Sequence, residues 1–147
     1  MLTTIQRSAL LAHSARAMYE LVNDVDSYPQ FMDGCVGARV LEQGDNEMVA
    51  SLTLSKGGIK QTFTTRNILH PYEKIELQLV DGPFKRLHGV WSFKPLADNA
   101  CKVSLELSFE FSNILVNIAS SSLFTHVANH MVDAFSRRAT AVYGKTA

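Results

Sequence analysis

Apolar residues recur every three or four positions along one long stretch of this chain and at every second position along most of the rest. The long stretch runs from Ile114 to Tyr143. Leu115, Ala119, Leu123, Val127, Met131, Phe135 and Val142 form a stripe there, and Ile118, Phe124 and Ala128 widen it to the arc of a helix lying on a core. Ser112 and Asn113 precede it as candidate N-caps, and Gly144 is a stop signal. Arg137, Arg138 and Lys145 stand near the end, where cations favour the negative pole of the helix dipole. Ser120, Ser121 and Ser122 compete for the backbone, so a break is allowed there, with the long piece starting at about Ser121.

Upstream, Thr3 to Ala12 predicts a strand. Ser14 then caps a short helix that carries Ala17, Met18, Leu21, Val22 and Val25 on one side. Asp26 to Pro29 break it, and Pro29 opens a further turn bearing Phe31 and Met32 before Gly34. From Cys35 to Ser112 the period is two. Turn signals fall at Gly44-Asp45-Asn46, Lys56-Gly57-Gly58, His70-Pro71-Tyr72, Asp81-Gly82-Pro83 and Ala97-Asp98-Asn99, which predicts six strands in consecutive hairpins. Leu77 and Leu79, then Leu87, Trp91 and Phe93, then Val103, Leu105, Leu107, Phe109 and Phe111 share one face. A one-sided antiparallel sheet must cover that face, and the final helix is the only element long enough. The expected fold is α+β: one domain over 1–147, with a curved seven-stranded antiparallel sheet gripping the C-terminal helix and two short helices after the first strand.

One strand departs from the pattern. Between Ile59 and Leu69, the side that carries Phe63 also carries Gln61, Thr65 and Asn67. Unpartnered and buried, each would cost about 1–3 kcal/mol. Either they bond one another, the helix or water, or they orient a ligand in a mostly apolar cavity.

Lys and Arg number 14, as do Asp and Glu, so no overall field gathers the chain on nucleic acid or an anionic membrane. A local basic patch stays open. Cys35 and Cys101 form no CxxC, and the N-terminus lacks a charged region followed by an apolar one; both point to a cytoplasmic protein with reduced thiols. No apolar run approaches the roughly 18 residues of a membrane span, although peripheral membrane contact stays open.

Catalytic motifs are absent: GxSxG, GxxxxGK[ST], GxGxxG and HExxH do not occur. His126 and His130 at i, i+4, with Asp133, have a metal-compatible spacing but lie off the apolar stripe, and no third or fourth ligand is evident. Glu106 and Glu110 sit among serines on a polar strand face. Lys85, Arg86 and His88 beside Phe84 form the densest basic-aromatic cluster, and Lys56 and Lys60 flank a glycine loop. No metal and no DNA partner are expected.

Tyr19 to Val25, Ser27-Tyr28-Pro29-Gln30-Phe31 with Gly34-Cys35, Thr62 to Asn67, and Leu79 to Lys85 together resemble the coenzyme Q-binding START-domain family of the START-like, helix-grip superfamily, which also holds polyketide cyclases. The chain is most similar to the family's bacterial branch, ribosome association toxins of the RatA type, and the resemblance spans about Ile5 to Tyr143. It implies a non-enzymatic binder of ubiquinone or another prenyl lipid, linked to respiration, and contact with the large ribosomal subunit that blocks subunit association. The cavity lining expected is Met18, Phe31, Met32, Phe63, Asn67, Leu79, Trp91, Phe93, Phe109, Phe111, Phe124, Val127 and Met131. Candidate ribosome contacts are Lys56, Lys60, Lys85 and Arg86. The hairpin at Lys56 to Lys60 and the turn from Tyr28 to Met32 are expected to border the cavity mouth. The rival reading is a polyketide aromatase or cyclase, which needs an inward acid or base; no histidine falls on the apolar faces assigned above. A pure interaction protein would have a filled core.

Overall fold

The computed structural model describes residues 2–112 and 118–144, the side chains at 118–120 excepted. Seven strands, β1 (Thr3–Leu11), β2 (Cys35–Gln43), β3 (Glu47–Lys56), β4 (Ile59–His70), β5 (Lys74–Asp81), β6 (Phe84–Ala97) and β7 (Ala100–Phe111), form one antiparallel sheet. Its order is β1-β7-β6-β5-β4-β3-β2. Five hairpins link β2 through β7, at the five turns read from the sequence, and β1 adds to the far side of β7 with Thr3 opposite Phe109.

Alternation decides the faces. Val103, Leu105, Leu107 and Phe109 on β7 are at most 4 % exposed, while Lys102 and Glu106 between them face solvent. Helix α1 (Ala15–Asn23) starts where expected: the Ser14 hydroxyl accepts from the Ala17 amide at 3.0 Å and so satisfies one of the orphan donors of the first turn. The Asp26 to Pro29 segment does more than break that helix. Val25–Gln30 form a 3-10 helix with Pro29 inside, and they bury Val25 and Tyr28.

Helix α2 (Ile118–Tyr143) crosses the concave face and buries Leu123, Phe124, Val127, Ala128, Val132, Phe135 and Ala139. Steps of four residues drift by about 40° each, so by the middle of the helix Met131 is only half-buried and Val132 is covered instead. Val142 is 49 % exposed: at this end the helix meets α1, where the Tyr143 hydroxyl donates to the Ala17 carbonyl at 3.2 Å. No break occurs at Ser121 and Ser122, which lie within the helix. Arg138 does not serve the helix end; it donates to Gln30 Oε1 at 3.0 Å and lies 5.0 Å over the Phe31 ring. Asn113, Ile114, Leu115 and Lys145, and the side chains of Ile118, Ala119 and Ser120, lie outside the described residues. One further difference concerns His13, which is buried at the end of β1 against Tyr143, with ring centroids 5.9 Å apart.

Candidate functional site

The aromatic rings between sheet and helix divide into two groups. In one, Phe124 of α2 meets Phe109 at 4.7 Å, Phe84 at 4.8 Å and Phe63 at 5.4 Å, nearly all edge to face. In the other, Phe135 of α2 meets Tyr28 at 5.2 Å, Phe31 at 5.3 Å and Trp91 at 5.4 Å. Such pairs add to plain area burial, and they fix the rings in place.

A cavity of about 60 Å³ draws its walls from both groups. Phe63 and Phe124 come from the first and Tyr28 and Trp91 from the second, with Met32, Val127 and Met131 between them. Val25, the leucines at 52, 54, 77, 87 and 107 and the small Ala50 and Ala128 supply the rest of the apolar surface.

Two polar side chains break the apolar lining. Thr65 Oγ1 donates to Asn67 Oδ1 at 2.8 Å, and both residues line the cavity. The inward polar positions on β4 therefore answer one another in part. Gln61 is also buried, but its Oε1 has no hydrogen-bond partner among the described residues and it does not line the cavity. The Tyr28 hydroxyl, also at the wall, donates to the Val22 carbonyl. Burial pushes the Tyr28 phenol far above its ordinary range, with Cys35 and Asp24 adding to the shift.

Of the residues expected at the lining, Met32, Phe63, Asn67, Trp91, Phe124, Val127 and Met131 stand at the cavity wall. Met18, Phe31, Leu79, Phe93, Phe109 and Phe111 do not. The reason is packing: Phe109 is enclosed by Phe84, Phe111 and Phe124, and Phe93 lies against Tyr19 at 5.7 Å. Sequence reasoning left Val25 on the apolar side of the first helix and Tyr28 in the turn at the mouth, and so placed neither at the wall. It also missed Leu52 and Leu54, whose alternation with Ser51, Thr53 and Ser55 carried the signal.

The four candidate surface cations lie on two hairpins. Lys56 Nζ is 3.4 Å from Asp33 Oδ2, and Arg86 Nε is 3.5 Å from Glu110 Oε1. Lys60 and Lys85 are exposed. His126 and His130 are exposed too; their rings lie 4.3 Å apart, and His130 Nδ1 is 2.7 Å from the His126 carbonyl. No group of three metal-ligating side chains occurs among the described residues. No helix among them is long and apolar enough to cross a membrane.

Residues 11–136 match the family model described as polyketide cyclase / dehydrase and lipid transport. The ribosome association toxin RatA of Pseudomonas aeruginosa is 51 % identical over 144 residues, 98 % of this chain and 100 % of that one. A Xenopus laevis protein, the mitochondrial coenzyme Q-binding protein COQ10 homolog B, is 28 % identical over 94 % of this chain and 58 % of its own. Among solved structures, the Zhui aromatase/cyclase of Streptomyces superposes with a TM-score of 0.83 at 17 % identity, covering 99 % of this chain and 100 % of that one, a likeness of fold alone.

Proposed function

The chain belongs to the polyketide cyclase / dehydrase and lipid transport family, and from that premise we propose that it is a non-enzymatic, cytoplasmic protein that binds the large ribosomal subunit and hinders its association with the small one. The observation that carries this reading is the end-to-end match to a ribosome association toxin, 51 % identical over 144 residues. Sucrose-gradient sedimentation tests it. Adding the protein to joined subunits should move material into free subunits, with the protein in the large-subunit fractions. An unchanged profile, with those fractions free of protein, would overturn it.

A second reading concerns the interior: it binds a hydrophobic ligand, a polyisoprenoid quinone or a related prenyl lipid. Its support is the Thr65–Asn67 pair set in an otherwise apolar wall, which suits a polar head ring on an apolar tail. At about 60 Å³ the cavity is well below the roughly 300–1,000 Å³ of ordinary ligand sites, so binding requires expansion. Met32 and Met131 have the side-chain freedom to yield. The β3–β4 hairpin can swing at Gly57 and Gly58, which hold φ of +59° and +83° with open space around them. Mass spectrometry of an organic extract of protein purified without detergent decides the matter: a stoichiometric prenyl lipid is expected, and an empty extract would sink the idea. Slowed uptake on replacing both glycines by Ala would place the lip there.

The interior chemistry favours binding over cyclisation. Its polar groups are an amide, a hydroxyl and a phenol, and that phenol is held protonated at neutral pH.

A further inference from the structure

The outer face of the sheet sorts its side chains into rows, because strands paired in register place every second residue side by side. In the row nearest the β6–β7 turn, Lys94 stands directly opposite Lys102, with Leu10 of β1 beyond. Both lysines are exposed and neither has an acidic partner among the described residues. Opposed residues in such a pair hold their β-carbons about 4.5–5.5 Å apart, and like charges there repel. The next row runs Lys74, Ser92, Ser104, Ser8 across four strands. No acid stands among these seven residues; Glu76 and Glu106 belong to the row after, and Glu73 and Asp98 are exposed in the flanking turns. Glu76 is 2.9 Å from His70 Nε2 and also feels the Lys74 charge.

A chain with equal numbers of cations and anions has thus gathered three ammonium groups at one corner of the sheet's outer face and set a line of hydroxyls beside them. Ammonium groups and hydroxyls are the side chains that hold phosphodiester oxygens. We propose that this corner is where the protein meets RNA, through phosphate contacts by Lys94, Lys102 and Lys74 with the serine line beneath the strand. The proposal rests on the ribosome-association reading and names its contact surface. Among the candidate cations considered earlier, Lys56 and Arg86 already face Asp33 and Glu110. A lipid surface fits less well, since Leu10 in these rows and Leu96, two residues beyond Lys94, are isolated exposed leucines and not the continuous apolar face that a membrane-bound element inserts.

The test is co-sedimentation of the full chain with purified large ribosomal subunits across a salt series, using wild type, K94E, K94E/K102E and K56E, with phosphatidylglycerol vesicles as a parallel probe. Loss of affinity by about tenfold or more is expected for K94E/K102E, and its plot of log K against log salt should flatten by about two phosphate contacts. K56E should bind as wild type does. K94E turns the like-charged pair into an opposite one, so its thermal midpoint should be no lower than that of wild type while its binding falls. A double variant that binds as tightly as wild type would overturn the surface and leave ribosome association standing. Wild type that fails to sediment with subunits would overturn both. Vesicle binding that the double variant loses, with subunit binding intact, would assign the corner to lipid instead.

Discussion

Val127 on α2 closes over Gly34, the residue that leads into β2: a β-carbon at position 34 would lie 3.0 Å from Val127 Cγ2, and the backbone there holds φ of +88°. Two demands coincide at one residue, a left-handed backbone and a close approach to the helix that lines the cavity. Gly34→Ala should therefore destabilise the protein by about 1–3 kcal/mol, read as a lowered urea midpoint at unchanged slope. A midpoint equal to wild type would mean that the helix retreats freely at Val127.

Thr65→Val leaves Asn67 Oδ1 without its hydroxyl donor in the cavity wall. The expected loss is about 1–3 kcal/mol, and adding Asn67→Leu should restore much of it, because both polar groups are then gone together. Denaturant melts of the two singles and the double give the coupling. Additive effects would mean that water, not Thr65, satisfies Asn67.

Ala50→Val enters the cavity from β3, where a β-branched residue suits the backbone. Filling the void should raise stability by about 1 kcal/mol and reduce the amount of prenyl lipid recovered per mole of protein. A more stable protein that takes up ligand as before would place the ligand elsewhere.

The carboxyl of Glu76 is held below its usual range chiefly by the hydrogen bond to His70; desolvation opposes this, and the charges of Lys74, His70 and His88 add to the lowering. A carboxylate whose folded value is depressed stabilises the fold above its ordinary titration range, and that contribution disappears as the pH falls through the lowered value. Glu76→Gln should therefore be less stable than wild type at neutral pH, and the two melting curves should converge on acidification below about pH 4. A gap that stays constant with pH would assign the effect to packing.

The strands were legible because each of β2 to β7 buries one face, so period two survives from Cys35 to Phe111 with turn chemistry at every reversal. The helix start at Ser14 was legible for a local reason, a side-chain oxygen three residues before an orphan amide. The interior was legible by kind and not by place. Polar residues at inward positions of β4 marked a site, and Thr65 and Asn67 do meet there, yet nothing along the chain distinguishes Phe63, which faces the void, from Phe109, which is closed in by three other rings. That difference arises from how rings on separate strands and on α2 interlock. His13 and Tyr28 were hidden for the opposite reason: each sits where loop chemistry dominates locally, and the burial comes from elements far away in sequence.

The pairing of Thr3 with Phe109 ties the first strand to the last. A chain made from its N-terminus can pair each of β2 to β6 with the next as its hairpin emerges, but β1 has no neighbour until β7 exists, and the concave face has no cover until α2 follows. All seven strands and α2 must therefore be made before the native molecule can form. The edge strand β1 thus waits unpaired while the five strands from β2 to β6 are laid down.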